Sequence, residues 1–182
     1  MPDTAPLLTA EQLEKFSRDD RRYELVRGRL VQMSPVGFEH GRTVASVLHL
    51  LTAHLRSRGI GLAVPEVGFI LHRRPDTVRA PDVAFVARDR LPNRDERGFF
   101  KGPPDAALEV LSPDDRPPEI RAKIDDYLGS GVRLVVIIDP RTKTVILHRR
   151  AASPSTFSDD DDIIDMSDIL EGFRCTVREI FD

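Results

Sequence analysis

"DAALEVLSPDDRPPEIRAKIDDYLGSGVRLVVIID", residues 105–139, decides the fold within one stretch. Residues 105–111 are short, apolar and bounded by breakers, which predicts a buried strand. The breaker-rich SPDDRPP follows. Ile120, Ile124, Tyr127 and Leu128 then recur at helical spacing, which predicts a helix over 118–130. Pro118 suits its first turn and Gly129 or Gly131 its exit. Residues 133–139 are a β-branched run and read as a second strand. Strand, helix, strand with a connection of this length is a parallel βαβ crossover.

Working outward, Thr9 and Gln12 have the spacing of a capping box, with a helix expected over 10–17. RRYELVRGRLVQMSP alternates about Arg27-Gly28 and predicts a hairpin. Val44, Val47, Leu48, Leu51 and Leu55 form one apolar stripe on a long helix that ends near Gly59. VGFILH and TVRAPDVAFVA read as strands of a three-strand meander with 105–111, separated from it by a polar loop over 88–104. KTVILHRR pairs with residues 133–139 as a further hairpin. The expectation is an α/β domain: helix, three-strand meander, crossover helix and further strands about a mixed central sheet.

The 182 residues, 40% of them hydrophobic, suit one domain with one substantial core. That domain is expected to include an N-terminal helix plus hairpin over about 9–34 and an acidic C-terminal extension over about 153–182, with the aspartate run 159–162 read as a solvated loop. One cysteine excludes an intramolecular disulfide, and no basic-then-apolar leader opens the sequence, so a cytoplasmic setting is expected. The longest apolar run, Leu134 to Ile138, is far too short to span a membrane. The net charge of −3 is unevenly spread: residues 159–182 hold nine acids against two bases, which leaves +4 on residues 1–158. Arg73, Arg74, Arg79, Arg88, Arg90, Arg94 and Arg97 fall in expected loops that suit phosphates, or else belong to a mixed, solvated surface.

Two expected strands carry an acid among apolar residues: Asp82, in line with Ala80, Ala84 and Val86, and Glu109, in line with Ala107 and Leu111. A buried ionised carboxylate needs a cation, a metal or hydrogen-bond donors facing it. If the two strands are neighbours, both acids reach one small ion, and two hard oxygen ligands with open positions suit magnesium, or manganese. The alternative pairs each with an arginine: Asp82 with Arg79, Glu109 with Arg133. Lys123, in the early turns of the crossover helix, flanks its apolar face and is placed to lean toward Glu109.

YELVRGRLVQMSP, PDVAFV, LEVLSP, KIDDYLGSGV and VVIIDP, in this order from about Tyr23 to Pro140, resemble the motifs of the Uma-type restriction endonucleases, a bacterial family of the PD-(D/E)xK nuclease superfamily. The resemblance implies a restriction-endonuclease-like core. It also implies Asp82 and Glu109 as metal ligands, with the Val110 carbonyl as a further one. The superfamily's usual lysine falls at Leu111, so Lys123 is the position that matches the family's helix-borne lysine. Glu24, His40 and Tyr127 match further recurrent positions. The expected activity is magnesium-dependent hydrolysis of DNA phosphodiester bonds, by a homodimer if both strands are cut. The alternatives are a non-catalytic nuclease-fold binding module and a metal-dependent phosphohydrolase acting on RNA or nucleotides.

Overall fold

The computed structural model describes residues 6–16, 22–93 and 95–182. A helix α1 (Ala10–Phe16) precedes the hairpin β1 (Tyr23–Val26) and β2 (Arg29–Gln32). Its turn forms because Arg27 and Gly28 both hold positive φ, 50° and 78°, the twist a two-residue hairpin needs. The long helix α2 (Phe38–Arg58) ends on Gly59 at φ 65°, whose N–H caps the Leu55 carbonyl. Then come β3 (Gly61–Pro65), β4 (Phe69–His72), β5 (Thr77–Arg79), β6 (Val83–Ala87), a 3-10 turn at Arg88–Arg90, and β7 (Phe100–Lys101). The crossover consists of β8 (Ala106–Val110), α3 (Pro117–Ser130) and β9 (Leu134–Asp139), and β10 (Thr144–Arg149) closes the expected hairpin. The chain finishes with β11 (Ser155–Phe157), β12 (Ile163–Asp165), β13 (Arg174–Thr176) and α4 (Val177–Phe181).

The central sheet runs β11-β10-β9-β8-β6-β3, with β8 and β9 parallel and its other pairs antiparallel. A second sheet runs β2-β1-β5-β4-β7. Alternation along the central strands divides the core. Val83, Phe85, Leu108, Val136 and Ile138 face α2, where Val47, Leu51 and Leu55 are buried. Ala84, Val86, Ala107, Val135 and Ile137 face α3 and β4, with Tyr127 and Phe69 at the centre. A third cluster, around Leu13, Leu25 and Val78, seats α1 on the second sheet.

Two expectations differ from the structure. The stretch TVRAPDVAFVA is two strands in two sheets, β5 and β6, because Pro81 has no N–H to continue a ladder. Asp82 therefore sits in a bend just before β6. The meander also has an unforeseen strand, β3, paired with β6 along its whole length. The acidic C-terminal extension contributes to the core: Ile164, Met166, Leu170, Phe173, Ile180 and Phe181 are buried in the cluster under α2. Its aspartate run is an exposed turn in which Asp162 accepts from the Ser158 and Asp159 N–H groups. The last residue of the expected first helix, 17, and Arg94 lie outside the described residues. No described helix is long and apolar enough to cross a membrane.

Candidate active site

The β6/β8 ladder pairs Val83 with Leu108 and Ala84 with Ala107, and Asp82 and Glu109 stand just beyond that end of it, Asp82 on the bend before β6. Both line a cleft of about 440 Å³ walled by the β1/β2 hairpin, the segment from Met33 to Val36, the start of α2, the end of β8 and the first turns of α3. Asp82 Oδ2 accepts from the Val110 N–H at 2.7 Å, and its Oδ1 lies 3.2 Å from His40 Nε2. The other ring nitrogen, Nδ1, is 3.2 Å from the Ser112 hydroxyl. This hydrogen bond to Asp82 raises the His40 pKa above its ordinary value, against the lowering effect of burial.

Glu109 projects from the same face of β8 as Ala107, toward α3. Its Oε2 accepts from Lys123 Nζ at 2.8 Å and its Oε1 from the Tyr127 hydroxyl at 2.7 Å. The spacing of four on α3 places both donors on the same helix face, one turn apart. Burial pushes the Glu109 carboxyl above the ordinary carboxylate range; Lys123 opposes that push, and Asp82 and Glu24 reinforce it. Burial works against the Lys123 ammonium, but Glu109 and Glu24 outweigh it and hold the lysine charged. Burial also drives the Tyr127 hydroxyl well above its usual value, so it stays a donor.

Glu24 lines the cleft from β1, with both its oxygens engaged. Oε2 accepts from the Arg79 guanidinium at 2.7 Å and Oε1 from the Ala80 N–H at 3.0 Å, two residues before Asp82. Arg79 is buried and also grips Asp126 at 2.6 Å. It is therefore neither Asp82's partner nor open to a phosphate. Arg133 donates to the Asp168 carbonyl, so the arginine pairings considered for Asp82 and Glu109 do not form. Arg73, Arg88 and Arg90 are likewise tied, to Glu11 and Asp76, to the Gly59 carbonyl, and to Asp105, while Arg74 and Arg97 are exposed. Sequence reasoning missed Ser112 and the Arg79–Asp126 contact. The serine stands in a breaker run that reads only as a loop, and the ion pair joins elements 47 residues apart.

One further donor follows from peptide geometry. The Leu111 N–H donates to the Ile138 carbonyl on β9. In a planar trans peptide the Val110 C=O points the opposite way, toward the β6 side where Asp82 lies. The hard oxygens of Asp82, Glu109 and Val110 thus belong to one locality that carries excess buried negative charge. Among the described residues, no three His, Cys, Asp or Glu side chains converge tightly enough to enclose an ion by themselves. This donor set fits magnesium, which binds through one or two carboxylates and keeps waters or substrate oxygens in its other positions.

A mixed sheet whose crossover helix returns a lysine to a strand glutamate defines a restriction-endonuclease-like α/β domain. The Uma2 family model, described as "Putative restriction endonuclease", matches residues 9–178, and the chain belongs to that family. Among solved structures, the chain resembles one described as a "putative nuclease belonging to DUF820" from Anabaena variabilis ATCC 29413. The TM-score is 0.80 at 19% identity, over 93% of this chain and 96% of that one. No curated protein matches.

Proposed function

We propose that this protein is a magnesium-dependent endonuclease that hydrolyses DNA phosphodiester bonds, with manganese as an alternative ion. The observation that carries the proposal is that Asp82 and Glu109 line one cleft at the end of the β6/β8 ladder, with Lys123 2.8 Å from Glu109. Asp82, Glu109 and the Val110 carbonyl would hold the ion. Such an ion polarises a phosphate and makes water a stronger nucleophile near neutral pH. Lys123, charged and at the cleft wall, orients the attacking water and offsets negative charge building on the phosphorus oxygens. Tyr127 fixes the rotamer of Glu109. Glu24, through Ala80, fixes the bend that presents Asp82. His40, held between Asp82 and Ser112, would contact the scissile phosphate or act in proton transfer.

The rival reading, a nuclease fold that only binds, drew on arginines satisfying the two acids, and among the described residues neither acid has an arginine partner. Calorimetric titration with magnesium or manganese, paired with cleavage of plasmid, single-stranded DNA and RNA, tests the proposal. The wild-type chain is expected to bind metal and cut DNA, and Asp82→Ala and Glu109→Ala to lose both while keeping a cooperative thermal transition. Cleavage retained in either variant, or metal heat that does not depend on Asp82, overturns it. Cleavage confined to RNA moves the substrate assignment to the phosphohydrolase class.

A further inference from the structure

Ser112, which no local pattern singles out, ends a hydrogen-bonded chain that runs through the cleft. Asp82 Oδ1 lies 3.2 Å from His40 Nε2, and His40 Nδ1 lies 3.2 Å from the Ser112 hydroxyl. Both ring nitrogens are taken up by these contacts, and Asp82 and His40 are buried. Ser112 lines the same cleft and is only half-buried, which makes it the most open member of the chain.

The backbone holds this serine firmly. It follows Leu111, whose N–H is bonded to the Ile138 carbonyl on β9. A turn over Ser112–Asp115 is then closed twice: the Asp115 N–H donates to the Ser112 carbonyl at 3.0 Å, and the Asp115 carboxylate accepts from the Ser112 N–H at 2.7 Å. Pro113, at the second position, presets the φ such a turn needs. A hydroxyl donates one hydrogen bond and accepts two, so His40 leaves that of Ser112 with capacity for a further partner. An Asp–His–Ser chain also occurs where a serine is the nucleophile, but attack requires N–H donors aimed at the charge that develops. Here the Ser112 N–H is spent on Asp115 and Pro113 has none, so the turn supplies no such donors and the hydroxyl is left to bind.

We infer that Ser112 is a substrate-contacting residue, whose hydroxyl, oriented by His40, donates a hydrogen bond to a non-bridging oxygen of the phosphate in the cleft. This rests on the nuclease reading and deepens it: the buried His40 ring acts on the phosphate through Ser112. With Nδ1–H donating to Oγ, the hydroxyl hydrogen turns outward, and a phosphate offers only acceptors to meet it. Hydrogen bonds to an ionised oxygen are about twice as strong as neutral ones, so one hydroxyl here is worth having. The two cations that line the cleft do not serve this side of it. Lys123 is held by Glu109, and Arg79 by Glu24 and Asp126, while neither is bonded to Asp82.

Cleavage with magnesium first maps the reacting phosphate of a labelled DNA oligonucleotide. Calcium then replaces magnesium, so that affinity is read by fluorescence anisotropy without cleavage. Ser112→Ala is expected to weaken binding about 10-fold or more, as for loss of one hydrogen bond to a charged group, and Ser112→Thr to keep it. Replacing the mapped phosphate by a methylphosphonate removes one non-bridging oxygen, a different one in each diastereomer. In the diastereomer that lacks the contacted oxygen, Ser112→Ala should change nothing, whereas in the other its effect should persist. The same selectivity should survive, reduced, in a His40→Ala background. An effect of Ser112→Ala that ignores both replacements, or that vanishes once His40 is gone, overturns the contact and leaves Ser112 a mere support for the ring. If the wild-type chain neither binds nor cuts DNA, the nuclease reading falls and the contact with it. If it does both while Ser112→Ala binds as the wild type does, the contact alone falls.

Discussion

Lys123 Nζ lies 2.8 Å from Glu109 Oε2, although the two residues are 14 apart and on different elements. The crossover makes this meeting inevitable. Strand β8 ends at Val110, α3 begins at Pro117, and the helix packs back along the face from which Glu109 projects. Leu111, two residues after Glu109, lines the same cleft and is only half-buried. A lysine thus has two routes to one place, from the strand end or from the helix.

If Lys123 orients the attacking water, Lys123→Met is expected to lower turnover by about 10²- to 10⁴-fold, the usual range for a positioned proton-transfer group. Magnesium heat should survive, because Asp82 and Glu109 remain. Adding Leu111→Lys to that variant is expected to restore part of the lost turnover from the strand side. Wild-type turnover in Lys123→Met sinks this role, and a double variant no better than the single one removes the equivalence of the two positions.

Arg79 supports a different prediction, on stability. Its guanidinium, 6% exposed at the side chain, bridges Glu24 and Asp126, which are 3% and 14% exposed. Arg79→Met strands two buried carboxylates and is expected to cost about 3–5 kcal/mol in urea unfolding, as for other buried pairs broken from one side. Arg79→Lys should recover little, since a single ammonium cannot reproduce the guanidinium fork. Adding Glu24→Gln and Asp126→Asn to Arg79→Met is expected to return most of the loss. A loss below about 1 kcal/mol for Arg79→Met would show that solvent reaches the pair after all.

These particulars show what the sequence reveals and what it withholds. The α2 stripe and the βαβ crossover were legible because their periodicities are local and their ends carry glycine and proline. Asp82 and Glu109 stood out because an acid in an apolar run demands a partner. Strand β3 left no trace, since Gly61–Pro65 is a five-residue segment that opens on glycine and ends on proline, both read as breakers. The split at Pro81 carried its own mark, since the proline interrupts an otherwise strand-like run from Thr77 to Ala87. The C-terminal core was masked by charge: Ile164, Met166 and Phe173 lie among aspartates whose number suggested solvation. Contacts such as His40–Asp82 and Arg79–Asp126 depend on the docking of distant elements, and no local pattern encodes them.

The acid pair also predicts how stability responds to pH. Glu109 in the folded chain keeps its proton to higher pH than in the unfolded chain, where glutamate titrates at about 4.3. Across that window the folded state holds the extra proton, so its stability falls as pH rises. His40 acts with the same sign at higher pH. Its raised folded value gives stability that is complete below the unfolded value of about 6.5 and is lost as pH climbs through the folded one. Without divalent metal, the urea midpoint is therefore expected to decline between about pH 5 and about pH 8. Magnesium should reverse the trend, since its ligands must be deprotonated and its stabilisation grows as Glu109 ionises. Glu109→Gln should flatten the metal-free profile and remove most of the magnesium effect. A magnesium stabilisation of equal size at both ends of the range, or a Glu109→Gln profile that follows the wild type, contradicts the account of Glu109 as a buried, proton-holding metal ligand.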